Sequence, residues 1–206
     1  MLTLKGKKRD EDFIVSYVDL GNLSQSFLSL SPKKRMPVYL FEGKVISFDT
    51  ASACECIDEM FPNTFMPQQP LPRLAVRDHI GLAGSILNQL RGVFTSREAA
   101  PCEAAIRDVF DSLQEVEGLW QSGALRADAT FKAVDIAFTP LFSLLCFYPY
   151  LRDHQRWSTL PKTNAWARKL LDDPAVPASR CPNYGEEFLR FFALFDSHFK
   201  KLASPA

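Results

Sequence analysis

No charge of one sign predominates in this chain of 206 residues. Lys plus Arg number 24 and Asp plus Glu number 24. Bulk charge therefore points to neither a nucleic acid nor an anionic membrane as partner. Long hydrophobic runs are also missing. The most apolar stretch, Ile136 to Pro149, spans about 14 residues against the roughly 20 that cross a bilayer. The opening Met1-Leu2-Thr3-Leu4-Lys5 lacks the apolar core of a cleavable leader. Cysteines are few, odd in number and irregularly spaced, at 54, 56, 102, 146 and 181. That excludes a disulfide framework and makes a reducing cytoplasm the simplest setting. Cys54 and Cys56 have no second pair behind them, and His79, His154 and His198 are scattered, so no zinc pattern exists.

What is present changes character near residue 62. Before it, short β-branched runs alternate with turn signals. After it, helical periodicity takes over. Residues 62–72 hold four prolines in eleven positions, which suits neither helix nor sheet and reads as a linker. In the first part, Met1–Leu4 and Phe13–Leu20 are strand candidates, and Ser24–Leu30 is a short helix with Phe27 and Leu28 facing inward. Pro37–Phe41 and Val45–Phe48 flank the turn Glu42-Gly43-Lys44 and predict an antiparallel hairpin. Thr50 is placed to cap a helix running to about Met60. Its apolar stripe is Ala53, Cys54, Ile57 and Phe61, which makes the two cysteines core filler.

The second part reads as five or more helices. Leu74, Ile80, Leu87, Leu90 and Val93 recur at helical spacing. Ile106, Val109, Phe110, Leu113, Val116 and Trp120 form a cleaner stripe, stopped by Gly123. Residues 135–147 are apolar nearly all round and predict a central buried helix. Leu160–Asp173 is another. Phe188, Phe192, Phe195 and Phe199 line the last helix as core packing.

Several motifs together resemble the glutathione S-transferase family. They are Ser31-Pro32-Lys33-Lys34-Arg35-Met36-Pro37-Val38-Tyr39-Leu40, then Gly43, then Phe48-Asp49-Thr50-Ala51-Ser52, then Ile57-Asp58-Glu59-Met60-Phe61-Pro62. Downstream, Phe131 to Pro140, Asn164-Ala165-Trp166 and Pro174-Ala175-Val176 match the family's helical part. The similarity covers nearly all of residues 12–203. It implies an α/β plus all-α molecule: a truncated thioredoxin-like domain followed by an all-helical bundle. The glutathione-binding domain would span 1–62, shortened between residues 4 and 13. The linker would be 63–72 and the helical domain 73–206.

The resemblance further implies glutathione as co-substrate. Met36-Pro37 would be a cis peptide, with the Met36 backbone pairing with the cysteinyl unit. Thr50, through its N–H and hydroxyl at a helix start, would take the γ-glutamyl carboxylate, and Asp49 would pair with the ammonium group. Lys34 and Arg35, with Lys33, would hold the glycyl carboxylate. The same residues also have plainer readings, as a helix cap and a solvated basic turn. A homodimer is implied, with a face combining the 50–60 helix and those at 73–94 and 102–122. So is a small apolar second substrate, bound beside the 73–94 helix.

One departure stands out. Between the strand candidates at 1–4 and 13–20 lie eight residues, Lys5 to Asp12, too few for a parallel crossover. They include no Tyr, Ser or Cys to stabilise a glutathione thiolate, so no catalytic residue is assigned. Lys7, Lys8 or Arg9 remain as sources of charge. The departure predicts a rearranged hairpin over residues 1–20, or a partner covering the gap. A second departure places Lys132 where the family has Ser or Thr, leaving Asp135 to accept a backbone N–H from the Lys132 turn, with Thr130 too early to replace the hydroxyl. Two functions stay open: a glutathione transferase or isomerase with weak or atypical catalysis, and a non-catalytic binding or assembly protein on the same fold.

Overall fold

The computed structural model describes residues 1–19, 21–125 and 132–203. Leu20, Thr130 and Phe131, with the side chains of Leu4 and Phe192, lie outside the described residues. Helix α1 spans Leu2–Lys7 and is followed by a 3-10 turn at Asp10–Asp12. The predicted strand at Met1–Leu4 is thus helix, and no eight-residue strand-to-strand crossover has to be made. Residues 14–19 are extended, but no strand or hairpin forms among residues 1–19. The reason is physical: among the described residues, no backbone hydrogen bond ties Ile14–Val18 to a neighbour. Ile14 is 97% exposed and Tyr17 61%.

Helix α2, Gln25–Leu30, begins at Ser24, whose hydroxyl accepts the Phe27 N–H. Phe27 is buried, as its spacing predicts. Strands β1 (Tyr39–Phe41) and β2 (Lys44–Ser47) form the expected antiparallel hairpin. Gly43 sits in the turn at φ 75°, a backbone region glycine enters without steric cost. Helix α3 then runs Thr50–Met60. Its cap is Asp49, one residue before the predicted Thr50. The Asp49 carboxylate accepts the Ser52 N–H at 2.7 Å, and a carboxylate serves this role at least as well as a hydroxyl. Ala53 and Asp58 are the buried residues of α3, while Cys56 is exposed and Cys54 half-buried. Cys56 is therefore not core filler: two positions from Cys54, it faces the other way round the helix.

Helix α4 covers Pro70–Thr95, with Pro70 at its first turn, where a missing N–H costs nothing. Leu74 is 56% exposed and leaves the predicted core stripe. Helix α5, Ala99–Ser122, stops at Gly123 with φ 77°. Helix α6, Ala133–Phe147, is the expected central helix and carries Pro140 internally. Short α7 (Pro149–Arg152) precedes α8 (Pro161–Leu171) and α9 (Ala175–Ala178). The predicted last helix is two, α10 (Tyr184–Leu194) and α11 (Phe199–Ala203). They break at Asp196, where φ is 49°.

The core lies among α4, α5, α6 and α8. Ile86, Leu90 and Val93 of α4 meet Val109, Phe110 and Leu113 of α5 and Phe138, Leu141, Phe142 and Leu145 of α6. Trp166 of α8 packs on Phe138 and Phe142 at 4.8 and 5.2 Å between ring centroids. Its indole N–H donates to Asp135 at 2.8 Å, while the other Asp135 oxygen accepts the Lys132 N–H. The second contact was expected. The first makes Asp135 a tie between α6 and α8. No single helix among the described residues is long and apolar enough to cross a membrane.

Charged side chains join α3 to its surroundings. Glu55 pairs with Arg73 and Arg77 of α4, and Glu59 pairs with Arg73. Lys7 of α1 reaches the Asp58 carboxylate and the carbonyls of Asp58, Pro62 and Asn63.

Candidate functional site

The loop before the hairpin is built by Ser31, whose buried hydroxyl donates to the Arg35 carbonyl at 2.9 Å. Lys34 stands at φ 55°, and its N–H donates to the Ser31 carbonyl. The Met36-Pro37 peptide is cis. These contacts turn the chain so that Arg35 stacks over the Phe48 ring, 4.8 Å from its centroid. Arg35 comes from before β1, and Phe48 from just after β2.

The turn from β2 into α3 is fixed by Ser47. Its hydroxyl oxygen accepts the Asp49 N–H at 3.0 Å. Ser47 stands opposite Tyr39 in the ladder, and Ile46 of β2 is the extra residue where the register shifts. Tyr39 is half-buried. Burial pushes its pKa up, and Thr50 opposes that shift. Asp49 is exposed. Hydrogen bonds from Ser52 hold its carboxyl below the ordinary carboxylate range, and the Arg35 charge pulls the same way. The Thr50 and Ala51 N–H groups belong to the first turn of α3, which has no intrahelical acceptor for them.

Arg35, Asp49 and Thr50 are thereby brought to one place, beside the Met36-Pro37 peptide. Met36 is 42% exposed there. Lys34 is exposed, and no contact draws its side chain to Asp49 or Thr50. Of the cations near the start, Lys7 is committed to Asp58, and Arg9 pairs with Asp12 and stacks on Phe61. Lys8, the third cation of this stretch, is exposed. Sequence reasoning missed Ser47, a strand residue whose hydroxyl accepts the N–H of the α3 cap.

A surface cavity lined by Glu103, Ile106, Arg107, Tyr150 and His154 lies among α5, α7 and the turn after it. None of the predicted site residues lines it. Among the described residues, no group of three or more His, Cys, Asp or Glu side chains is placed to hold a metal.

Solved structures superpose on this arrangement over nearly its whole length. A Tau class glutathione S-transferase from mango, Mangifera indica, matches with a TM-score of 0.73 at 21% identity, over 94% of this chain and 90% of its own. The fold is that of the glutathione S-transferases. A rice glutathione S-transferase solved in complex with glutathione also superposes with a TM-score of 0.73. It is 19% identical, over 99% of this chain and 91% of its own. In sequence, the chain is 23% identical over 176 residues to glutathione S-transferase U19 of Arabidopsis thaliana, spanning 84% of this chain and 80% of that protein. No protein-family model matches. In chain order, the hairpin and α3 come before the helices α4 to α11.

Proposed function

We propose that this chain binds glutathione at the start of α3 and transfers it to, or uses it to isomerise, a small apolar electrophile. The observation that carries the reading is the meeting of Asp49, Thr50 and Arg35 beside the Met36-Pro37 peptide. A tripeptide with an ammonium group and two carboxylates finds complementary groups there. The N–H groups and hydroxyl of the α3 first turn suit the γ-glutamyl carboxylate. Asp49, ionised at neutral pH, suits the ammonium. Arg35, with Lys34 behind it, suits the glycyl carboxylate. The rice relative, on the same fold, was solved with glutathione bound. Holding the reactants together and aligning dipoles supplies much of the rate in such transfers.

Calorimetric titration with glutathione tests this reading. The expected result is one site per chain, with binding lost in Asp49→Ala and Thr50→Ala. Unchanged binding in both variants overturns it.

A second reading is binding without turnover, as a regulatory or assembly module. The pairing of Lys7 and Arg9 with carboxylates supports it, since a cation paired with a carboxylate lowers a nearby thiol pKa less than a lone one. A conjugation assay with 1-chloro-2,4-dinitrobenzene separates the two: glutathione binding with no conjugate formed favours the second.

The chain further reads as a homodimer in a reducing cytoplasm. Met60, Leu71 and Leu74 are 53, 79 and 56% exposed on α3 and the first turns of α4, the elements that the resemblance gives to the interface. All five cysteines are free. Light scattering after gel filtration should give twice the 23.3 kDa chain mass, and a monomer overturns the dimer.

A further inference from the structure

We propose that the cavity between α5 and α7 is a second small-molecule site, taking an aromatic carboxylate that carries an amine or hydroxyl at its far end. No residue at the start of α3 takes part, and the glutathione reading can fail without touching it.

One wall of the cavity is held in place by the protein itself. Phe110 of α5 is fully buried, and the His154 ring stacks on it, 4.4 Å between centroids and 19° from parallel. His154 Nδ1 accepts the Arg156 N–H at 3.3 Å. Arg156 in turn donates to the Arg107 carbonyl at 3.1 Å and pairs with Asp111. These ties bind the turn after α7 to α5 and fix the imidazole. Burial, helped by the Arg156 charge, holds the His154 pKa below its ordinary value, so the ring is neutral at pH 7. A neutral ring that accepts at Nδ1 carries its proton on Nε2. Among the described residues, that Nε2 has no hydrogen-bond partner. Tyr150 rests edge-on against the buried Phe199, 6.4 Å between centroids, and stays 40% exposed.

The charges on α5 are the second observation. Glu103 and Arg107 both line the cavity. A Glu four residues ahead of an Arg is the order that favours an ion pair on a helix surface. Here the pair does not form, and among the described residues neither side chain has a hydrogen bond or ion pair elsewhere. An uncommitted carboxylate and an uncommitted guanidinium thus border one cavity, about 6 Å apart along the helix axis.

Size and lining select the ligand. The cavity measures about 190 Å³, and an apolar cavity of roughly 150 Å³ holds a benzene molecule. One ring with small substituents therefore fits. Ile106 and the Tyr150 ring offer it apolar contact. Arg107 suits a carboxylate, since a guanidinium donates to both of its oxygens. The Nε2 proton of His154 is a further donor. Glu103 accepts an N–H or O–H and repels a second anionic group. A benzene ring with its carboxylate and amine at opposite ends spans about the separation of the two charges.

The test is calorimetric titration with 4-aminobenzoate, and with benzoate for comparison, at neutral pH. One saturable site per chain is expected, with Kd on the order of 0.1–1 mM for a ligand of about ten non-hydrogen atoms. Arg107→Gln should weaken both ligands at least ~tenfold, the size of a charged hydrogen bond. Glu103→Ala should weaken 4-aminobenzoate about fivefold and leave benzoate no weaker, because benzoate has no donor to lose. Arg35→Gln, at the start of α3, should leave both affinities unchanged. No saturable binding, or affinity unchanged in Arg107→Gln, overturns the proposal. So does a loss in Arg35→Gln, which would seat the ligand elsewhere. Equal losses for the two ligands in Glu103→Ala overturn the place given to the amine. Glu103 and Arg107 are exposed, and thermal melts matching the parent chain establish that each variant is folded.

Discussion

The Lys7 ammonium lies 2.7 Å from the Asp58 carboxylate, and both side chains are only 3% exposed. Asp58 also accepts the N–H groups of Phe65 and Met66 at 2.8 and 3.0 Å. Lys7 stands over the Phe65 ring as well. One buried pair therefore ties α1, the end of α3 and the segment leading to α4. Removing one partner of such a pair strands the other charge away from water. Asp58→Asn is expected to cost about 3 kcal/mol and to lower the midpoint of thermal unfolding. Lys7→Met should cost less, because the carboxylate keeps its two backbone donors. Equal losses in both variants would contradict this ordering.

Glu117 is 0% exposed within α5, and its carboxylate accepts the Lys162 N–H, the Thr163 N–H and the Thr163 hydroxyl. It caps α8 from outside, supplying the acceptors that the first turn of that helix lacks. Glu117→Ala leaves those donors buried and unmatched, at a cost of about 3 kcal/mol. Glu117→Gln keeps one acceptor and should cost roughly half as much on the same scale. Urea unfolding followed by circular dichroism measures both.

Asp49 gives the site a pH signature. Its pKa is depressed in the folded chain, chiefly by hydrogen bonds from Ser52. A group of this kind contributes stability that is fully present above the ordinary aspartate range and is lost as pH falls through the depressed value. Capping of α3 and attraction for an ammonium group should both persist at neutral pH and fade in acid. In Asp49→Asn, affinity for glutathione should be low and should lose the acid dependence that is due to this residue. Titrations across the acid range check the slope.

The cysteines should divide sharply by reactivity. Cys56 is exposed. Cys102 is fully buried, and burial raises its pKa. Burial pushes Cys146 up to about 11. At mildly alkaline pH, a disulfide reagent should modify Cys56 first, and Cys102 and Cys146 should react only on unfolding. Cys56→Ser removes the fastest phase. A fast phase unchanged in that variant would contradict the assignment.

Where the sequence carried local physics, reading it sufficed. The hairpin came from two β-branched runs about a short turn, α5 from its 3–4 stripe and Gly123, and α6 from its unbroken apolar composition. Reading failed at the start of the chain, because Met1–Leu4 and Phe13–Leu20 carry strand-like residues, while a strand exists only if another pairs with it. Tertiary context made the first a helix and left the second unpaired. Asp58 and Glu117 were invisible for a related reason. A carboxylate within a helix reads as solvated until the donors that meet it are known, and those donors lie in other segments. Asp49 and Thr50 were legible as a pair because a helix start is marked locally. Which of the two caps depends on one backbone angle.

The largest side chains sealed from water all come from residue 86 onward. The three tryptophans, Trp120, Trp157 and Trp166, stand in that same portion. Intrinsic indole fluorescence will therefore monitor the bundle and stay silent about the hairpin. Loosening around Asp49 would leave the emission spectrum untouched, and a reporter placed near Cys56 would be needed to see it.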